Sequence, residues 1–304
     1  MSSKVVKITH YQSVWSYIVE NVRGSFFMVF AMAAFAVEDM FVKAAAKTLP
    51  VGEILILFGL GGTLIYILLT LLQGDGILHR KILSKVIIIR AISESAGRLF
   101  YTLAIALTPL SSASAILQAT PLIVVMGAAI FFGEKVGWQR WTAIGIGLIG
   151  VMMILRPGLE GFEAASLFAL LGTLGFAGRD LATRAAPLVL SNMQLGIYGF
   201  FILIPTGAVL VPFTGGLVLP DSKTSLEVLG VILFGVTAYY FLTCAMRTGE
   251  VSVVTPFRYT RLVFALIIGL IVFSERPDFM TLLGSAIVVL SGIFSLLKSR
   301  NRQQ

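Results

Sequence analysis

The chain has 304 residues, of which 57% are hydrophobic and only 12% charged, and its formal net charge is +8. So little polar surface cannot coat a water-soluble globule, and a bilayer is the solvent that such a composition fits. One cysteine, Cys244, and two histidines, His10 and His79, set aside a disulfide framework, structural zinc and a Cys–His nucleophile, so no metal and no cofactor are expected.

Residues 1–23 carry Lys4, Lys7, Glu20 and Arg23 but neither the continuous apolar stretch nor the small-residue cleavage site of a signal peptide. They are expected to form a cytoplasmic segment. In it Val5, Ile8, Trp15, Ile18 and Val22 either line a short interfacial helix or belong to an irregular tail. Apolar runs near the 20 residues or so that cross a bilayer then follow at 24–46, 51–72, 86–107, 111–132 and 138–155. A second set follows at 164–184, 193–211, 226–246, 251–273 and 279–297, and a short basic tail occupies 298–304. The predicted fold class is all-α integral membrane, with ten transmembrane helices. With the N-terminus inside, thirteen basic residues fall on the cytoplasmic side and four outside, which predicts both termini in the cytoplasm of an inner-membrane protein. The positive charge is thus an orientation signal, and no nucleic-acid partner is expected. The expected partners are the lipid bilayer and a small-molecule substrate, for a monomer or homodimer.

Sliding the chain on itself by 141 positions aligns Phe35 with Phe176, Asp39 with Asp180 and Lys43 with Arg184. Glu134 then falls on Glu275 and Lys135 on Arg276. Two repeats follow, at 24–157 and 164–297. Five spans is an odd number, so the second copy lies upside down relative to the first. Two oppositely oriented halves can exchange conformations around a site at their interface, which is the logic of alternating access.

This layout resembles the EamA branch of the drug/metabolite transporter superfamily over nearly the whole chain. The resemblance is carried by Ala104, Ala106, Ala113, Ala115, Pro121, Gly133 and Glu134, and in the second half by Ala245, Pro256 and Glu275. Ser274 stands where the family has a glycine before the glutamate. The stretch Pro256-Phe257-Arg258-Tyr259-Thr260-Arg261-Leu262, with Ser274-Glu275-Arg276-Pro277, resembles an alphaproteobacterial subgroup that includes riboflavin carriers and S-adenosylmethionine uptake carriers.

Charge within a span costs several kcal/mol unless it faces protein, water or a partner. Glu38, Asp39, Lys43, Arg90, Glu94, Arg98, Arg179, Asp180, Arg258 and Arg261 are therefore expected to have a purpose. Arg90, Glu94 and Arg98 stand at successive i,i+4 positions, as do Asp39 with Lys43 and Asp180 with Arg184. Such groups either neutralise one another or receive a ligand carboxylate or phosphate, and a carboxyl among them could carry a proton. Tyr101, Tyr239, Tyr240 and Tyr259 would add an aromatic lining, and Gln118 falls on Tyr259 in the repeat register. The candidates for substrate binding or coupling are Asp39, Arg90, Glu94, Arg98, Tyr101, Gln118, Asp180, Tyr239, Tyr240, Arg258, Tyr259 and Arg261. No catalytic residue is expected.

Gly145, Gly147 and Gly150 match a dinucleotide fingerprint in spacing only, since no strand precedes them; close helix packing is the expected role. Glu134 and Glu275 are read as structural residues at the membrane borders. No ATP-binding loop occurs, so the expected activity is secondary transport, not an enzymatic one. Riboflavin uptake is the first substrate expectation, with S-adenosylmethionine uptake or amino-acid export as alternatives. An integral membrane enzyme acting on lipid is the rival class; it would need a surface cluster that the loops lack.

Overall fold

The computed structural model describes residues 2–133, 136–156, 163–185, 189–248 and 254–300. Glu134 and Lys135 lie outside the described residues. Twelve α-helices among the described residues build the ten spans. In the first half these are α1 (Ser2–Ala45), α2 (Val51–Leu72), α3 (Lys85–Leu107), α4 (Leu110–Leu117) with α5 (Thr120–Phe132), and α6 (Trp138–Leu155). The second half has α7 (Ser166–Arg184), α8 (Asn192–Phe201) with α9 (Leu203–Leu210), α10 (Ser222–Thr248), α11 (Thr260–Phe273) and α12 (Phe279–Arg300). A 3-10 turn, Thr255–Tyr259, leads into α11.

The first helix runs unbroken from Ser2 to Ala45. The segment before Gly24, expected as a separate interfacial helix or irregular tail, continues the helical path of the first span, because no proline or glycine interrupts it before that point. Elsewhere the breaks have local causes. Pro205 has no N–H to offer the carbonyl four residues back, and the seventh span divides at Ile202 into α8 and α9. Pro121 at the start of α5 suits a helix N-terminus, and the fourth span breaks at Gln118–Ala119 just before it. Ser191 and Gln194 form a reciprocal capping box at the start of α8. Gly133 (φ 66°) and Ser274 (φ 54°) end α5 and α11 in the left-handed conformation. The family glycine at this station is thus a helix terminator, and Ser274 does the same work at a steric cost.

Among the described residues, five stretches are long and apolar enough to cross a membrane: Val19–Ala45, Val51–Leu72, Leu110–Phe131, Asn192–Phe213 and Ser222–Ala245. Trp141–Leu155 and Phe279–Phe294 are apolar but shorter. Helices α3 and α7 fall short of apolarity because Arg90, Glu94, Arg98, Arg179 and Asp180 ride on them. The polarity of the bundle is that of a membrane protein. Leu64, Leu68, Ile92, Ile149 and Leu226 are exposed, whereas Glu38, Asp39, Arg90 and Glu94 are buried.

Each half packs on the other in a pattern that repeats when the halves are exchanged. Span one (α1) lies on span eight (α10), and span six (α7) lies on span three (α3). Span two packs on span seven, span five on span ten, and α4 of span four on α11 of span nine. This is the pseudo-two-fold arrangement of two inverted five-helix repeats. The contact of α3 with α7 is close. A Cβ on Gly175 would lie 2.4 Å from the Gly97 backbone nitrogen. Gly147 and Gly150 likewise meet α12 through Ser291 and Gly284, while Gly145 faces open space.

Candidate functional site

The fourth and ninth spans are both interrupted, and their interruptions meet. Gln118, which caps the C-terminus of α4, donates from Nε2 to the Tyr259 carbonyl at 3.4 Å, at the turn leading into α11. Residues 118 and 259 are equivalent in the 141-residue register. Two equivalent residues in contact mark the place where the pseudo-symmetry axis passes, so the broken helices cross at the centre of the bundle. Interrupted helices offer backbone groups to side chains, as the Tyr259 carbonyl is offered to Gln118.

Charged side chains surround this crossing in two groups. In the first, Asp39 accepts two bonds from Arg261 Nη2 (2.7 and 2.8 Å) and one from Nε (3.1 Å). Tyr101 bridges Asp39 Oδ2 (3.4 Å) and Ser114 Oγ (3.2 Å). Beside them Arg98 Nη1 donates to Glu38 Oε1 at 2.7 Å. The Arg261 guanidinium lies 4.8 Å from the Phe35 ring centroid. The Arg98 guanidinium lies between Phe58 and Phe176, at 4.9 and 5.9 Å.

The second group is centred on α7. Arg179 binds Asp180 Oδ1 through Nε (3.0 Å) and Nη2 (2.9 Å), and its Nη1 reaches Glu94 Oε1 at 3.3 Å. Asp180 Oδ2 accepts from Arg258 Nη1 at 3.1 Å. Arg90 donates to the Tyr239 hydroxyl (2.7 Å) and Thr183 Oγ1 (3.0 Å), and stands 3.9 Å from Glu94 Oε2. This group holds three guanidinium groups against two carboxylates, while the first holds two of each. Together they carry one net positive charge in a region of low dielectric.

The ninth span ties the halves together. Arg258 reaches Asp180 of the second repeat and Arg261 reaches Asp39 of the first, so two equivalent aspartates hang on one turn of helix. Of the i,i+4 pairs read from the sequence, Arg90–Glu94 forms at 3.9 Å, and the shorter contacts run elsewhere. Asp39 binds Arg261 and not Lys43, and Asp180 binds Arg179 and Arg258. Arg98 leaves Glu94 for Glu38 on α1. For Asp39 the reason is geometric: Arg261 offers Nε and Nη2 together to one carboxylate across the helix interface, a bidentate contact that an ammonium cannot make.

Eleven of the twelve candidates are brought around the crossing, and Tyr240 is not. It is 42% exposed on the outer face of α10, edge-on to Phe241. Tyr259 is buried and its hydroxyl has no partner. Two central residues, Glu38 and Arg179, stand among the span charges, Glu38 also among the carboxyls that could carry a proton, but outside the twelve binding candidates. The repeat register flags them, because 38 and 179 are equivalent positions bearing opposite charges.

A separate junction closes one end of the bundle. Glu275 accepts from the backbone N–H groups of Leu110 (2.6 Å) and Ser111 (3.0 Å) and from Ser111 Oγ (2.8 Å), so it caps the N-terminus of α4. Lys43 lies 3.6 Å away and donates to the carbonyls of Thr108 (2.5 Å) and Ile105 (3.3 Å) at the end of α3. The structural role expected of Glu275 takes this form.

The family model of the EamA-like transporter family matches the chain twice, at residues 22–156 and 164–297. An S-adenosylmethionine uptake transporter of Rickettsia felis is 27% identical over 70% of this chain and 72% of its own length. A riboflavin transporter of Rhizobium johnstonii is 26% identical over 71% of each chain. A pseudopaline exporter of Pseudomonas aeruginosa is 27% identical over 89% of this chain and 94% of its own. A crystal structure with 16% identity superposes at a TM-score of 0.63, covering 94% of this chain and 99% of that one, which supports the fold. With two matched repeats, a helical membrane fold and buried charge from both halves at the crossing, the chain is a multi-pass transporter of a small metabolite and belongs to the EamA-like transporter family.

Proposed function

We propose that the chain carries its substrate by alternating access, bound where the broken fourth and ninth spans cross, with both termini in the cytoplasm and no covalent chemistry. The observation that carries this reading is the contact of the equivalent residues Gln118 and Tyr259 inside a belt of charges drawn from α1, α3, α7 and the ninth span. A ligand at that point contacts both halves, and its binding energy is available to shift the balance between two orientations of the bundle.

Riboflavin uptake is the first substrate reading. It is supported by the nest of rings formed by Tyr66, Phe200, Tyr239 and Phe58, with centroids 5.0–5.9 Å apart, adjoining Arg98. S-adenosylmethionine uptake is the second, favoured by Glu94 Oε2, a buried carboxylate oxygen without a hydrogen-bond partner and of the charge that a sulfonium requires. Uptake of labelled riboflavin and of labelled S-adenosylmethionine by cells expressing the chain, with a proton uncoupler as control, tests both. Saturable riboflavin uptake that is lost in Arg98→Ala, with membrane insertion retained, is the expected result. Wild-type uptake by that inserted variant would remove the site assignment, and uptake of S-adenosylmethionine alone would move the substrate.

A further inference from the structure

The surface connections that follow spans two and seven are built alike. In the first, at residues 73–84, Gln194 in the first turn of α8 donates from Nε2 to the Gly76 carbonyl at 2.7 Å. In the second, at residues 214–221, Glu53 in the first turn of α2 accepts from the Val218 N–H at 2.9 Å. Gln194 and Glu53 are equivalent in the 141-residue register, so each half holds the connection of the other. The residues presented at the tips are equivalent too: Leu78 is 80% exposed and Leu219 is 97% exposed. A leucine held out at both matched positions is unfavourable in water, and a lipid boundary removes that cost.

The depth of the first connection fits such a boundary. Tyr198, in the second turn of α8, donates its hydroxyl to the Ile77 carbonyl (2.9 Å) and accepts from the His79 N–H (3.2 Å). These bonds hold Leu78 level with the opening turns of Asn192–Phe213, a stretch able to cross the membrane. In charge the two connections differ. The 3-10 turn Arg80–Leu83 and the start of α3 add Arg80, Lys81 and Lys85, all exposed, with Leu83 among them at 80% exposure. None of these three cations has an ion-pair partner among the described residues. Asp75 is the single carboxylate of the connection. The positions equivalent to the three cations are Asp221, Ser222 and Leu226, and Lys223 is the one cation near them.

We propose that the connection between spans two and three binds an anionic phospholipid, with Leu78 and Leu83 entering the acyl boundary and Arg80, Lys81 and Lys85 meeting the headgroup phosphate. The matched apolar tips seat both connections at a lipid surface, and the cations make one of the two selective for negative charge. Gln194 and Tyr198 of the second repeat hold this connection, so a lipid bound there braces a contact between the two halves. The site stands whichever metabolite the chain carries.

The test follows thermal unfolding of the full chain in detergent while phosphatidylglycerol, or phosphatidylcholine with the same acyl chains, is added. Phosphatidylglycerol is expected to raise the unfolding midpoint at a lower mole fraction than phosphatidylcholine, and salt to narrow the difference, because exposed cations are screened. Glycerol 3-phosphate, which has the headgroup chemistry without acyl chains, is expected to leave the midpoint where it is. Replacing all three cations together, as Arg80→Gln, Lys81→Gln and Lys85→Gln, is expected to raise the half-maximal mole fraction of phosphatidylglycerol on the order of 100-fold. The phosphatidylcholine response of that variant stays as in wild type, which reports that it is folded. Lys223→Gln on the equivalent connection is expected to retain the preference. Equal responses of the wild-type chain to the two lipids, or a preference that survives the triple replacement, overturns the site. A glycerol 3-phosphate response equal to that of phosphatidylglycerol overturns the lipid assignment and makes the cluster a free-phosphate site.

Discussion

Glu275→Ala removes the cap of α4. The carboxylate accepts three hydrogen bonds, two of them from backbone N–H groups at the positive end of a helix dipole. Loss of an N-cap costs about 0.5–2 kcal/mol, and a hydrogen bond to a charged group contributes about 1.5–3 kcal/mol. These overlap, and Lys43 keeps two carbonyl acceptors after the change, so it is not stranded. A loss of about 2–4 kcal/mol follows. Equilibrium unfolding of the full chain from detergent micelles into SDS, followed by circular dichroism, reads it. Glu275→Gln retains one acceptor oxygen and is expected to lose about half as much. The double exchange Lys43→Glu with Glu275→Lys separates a cap from an ion pair: it restores opposite charge but aims an ammonium at N–H donors and a carboxylate at carbonyls. It is expected to be less stable than Glu275→Ala. Restoration of wild-type stability by the double exchange, or a Glu275→Ala loss under about 0.5 kcal/mol, refutes the cap argument.

Ser274→Gly is expected to stabilise the chain by about 0.5–1 kcal/mol in the same unfolding assay, because φ at this helix end is 54° and glycine occupies that region without Cβ strain. Gly175→Ala must push α7 away from the Gly97 backbone of α3, and a loss of about 1–3 kcal/mol together with lost uptake is expected; unchanged stability would refute the close approach. Asp278 sits at the surface, where its hydrogen bond from Arg156 holds its carboxyl down to about 2. A depressed value means that the stabilisation is present above the ordinary aspartate range and is lost as pH falls toward about 2. Asp278→Asn should cost less than about 1 kcal/mol at neutral pH, given the exposure of the pair, and the difference from wild type should close on acidification.

The ten spans, the register of the two halves and the charge-bearing helices were legible in the sequence, because hydropathy and a constant offset are one-dimensional signals. The cost of charge within a span also assigned Asp39 and Arg98 to interior positions. It did not give their partners. Arg98 meets Glu38 across 60 residues and Arg261 meets Asp39 across 222, and a helix period specifies a face without naming the helix opposite. Tyr240 shows the same limit from the other direction, since an aromatic beside Tyr239 is turned about 100° from it and faces outward. Glu275 was visible as a repeated residue. Its role needed the N-terminus of α4, whose Pro109-Leu110-Ser111 start offers N–H groups with no acidic residue nearby in sequence to meet them.

The equivalence of Glu38 with Arg179, and of Arg98 with Tyr239, bears on energetics. Identical halves would make the inward-open and outward-open forms equivalent by a two-fold rotation and equal in free energy, so the empty protein would divide itself evenly between them. Opposite charges at matched positions lift that degeneracy. On the alternating-access reading the empty chain is expected to prefer one side, and a bias of about 1.4 kcal/mol is already a tenfold excess of one orientation. Exchanging the charges at these two positions with those of their partners would therefore change which face of the membrane the unloaded protein waits on, before any change in what it carries.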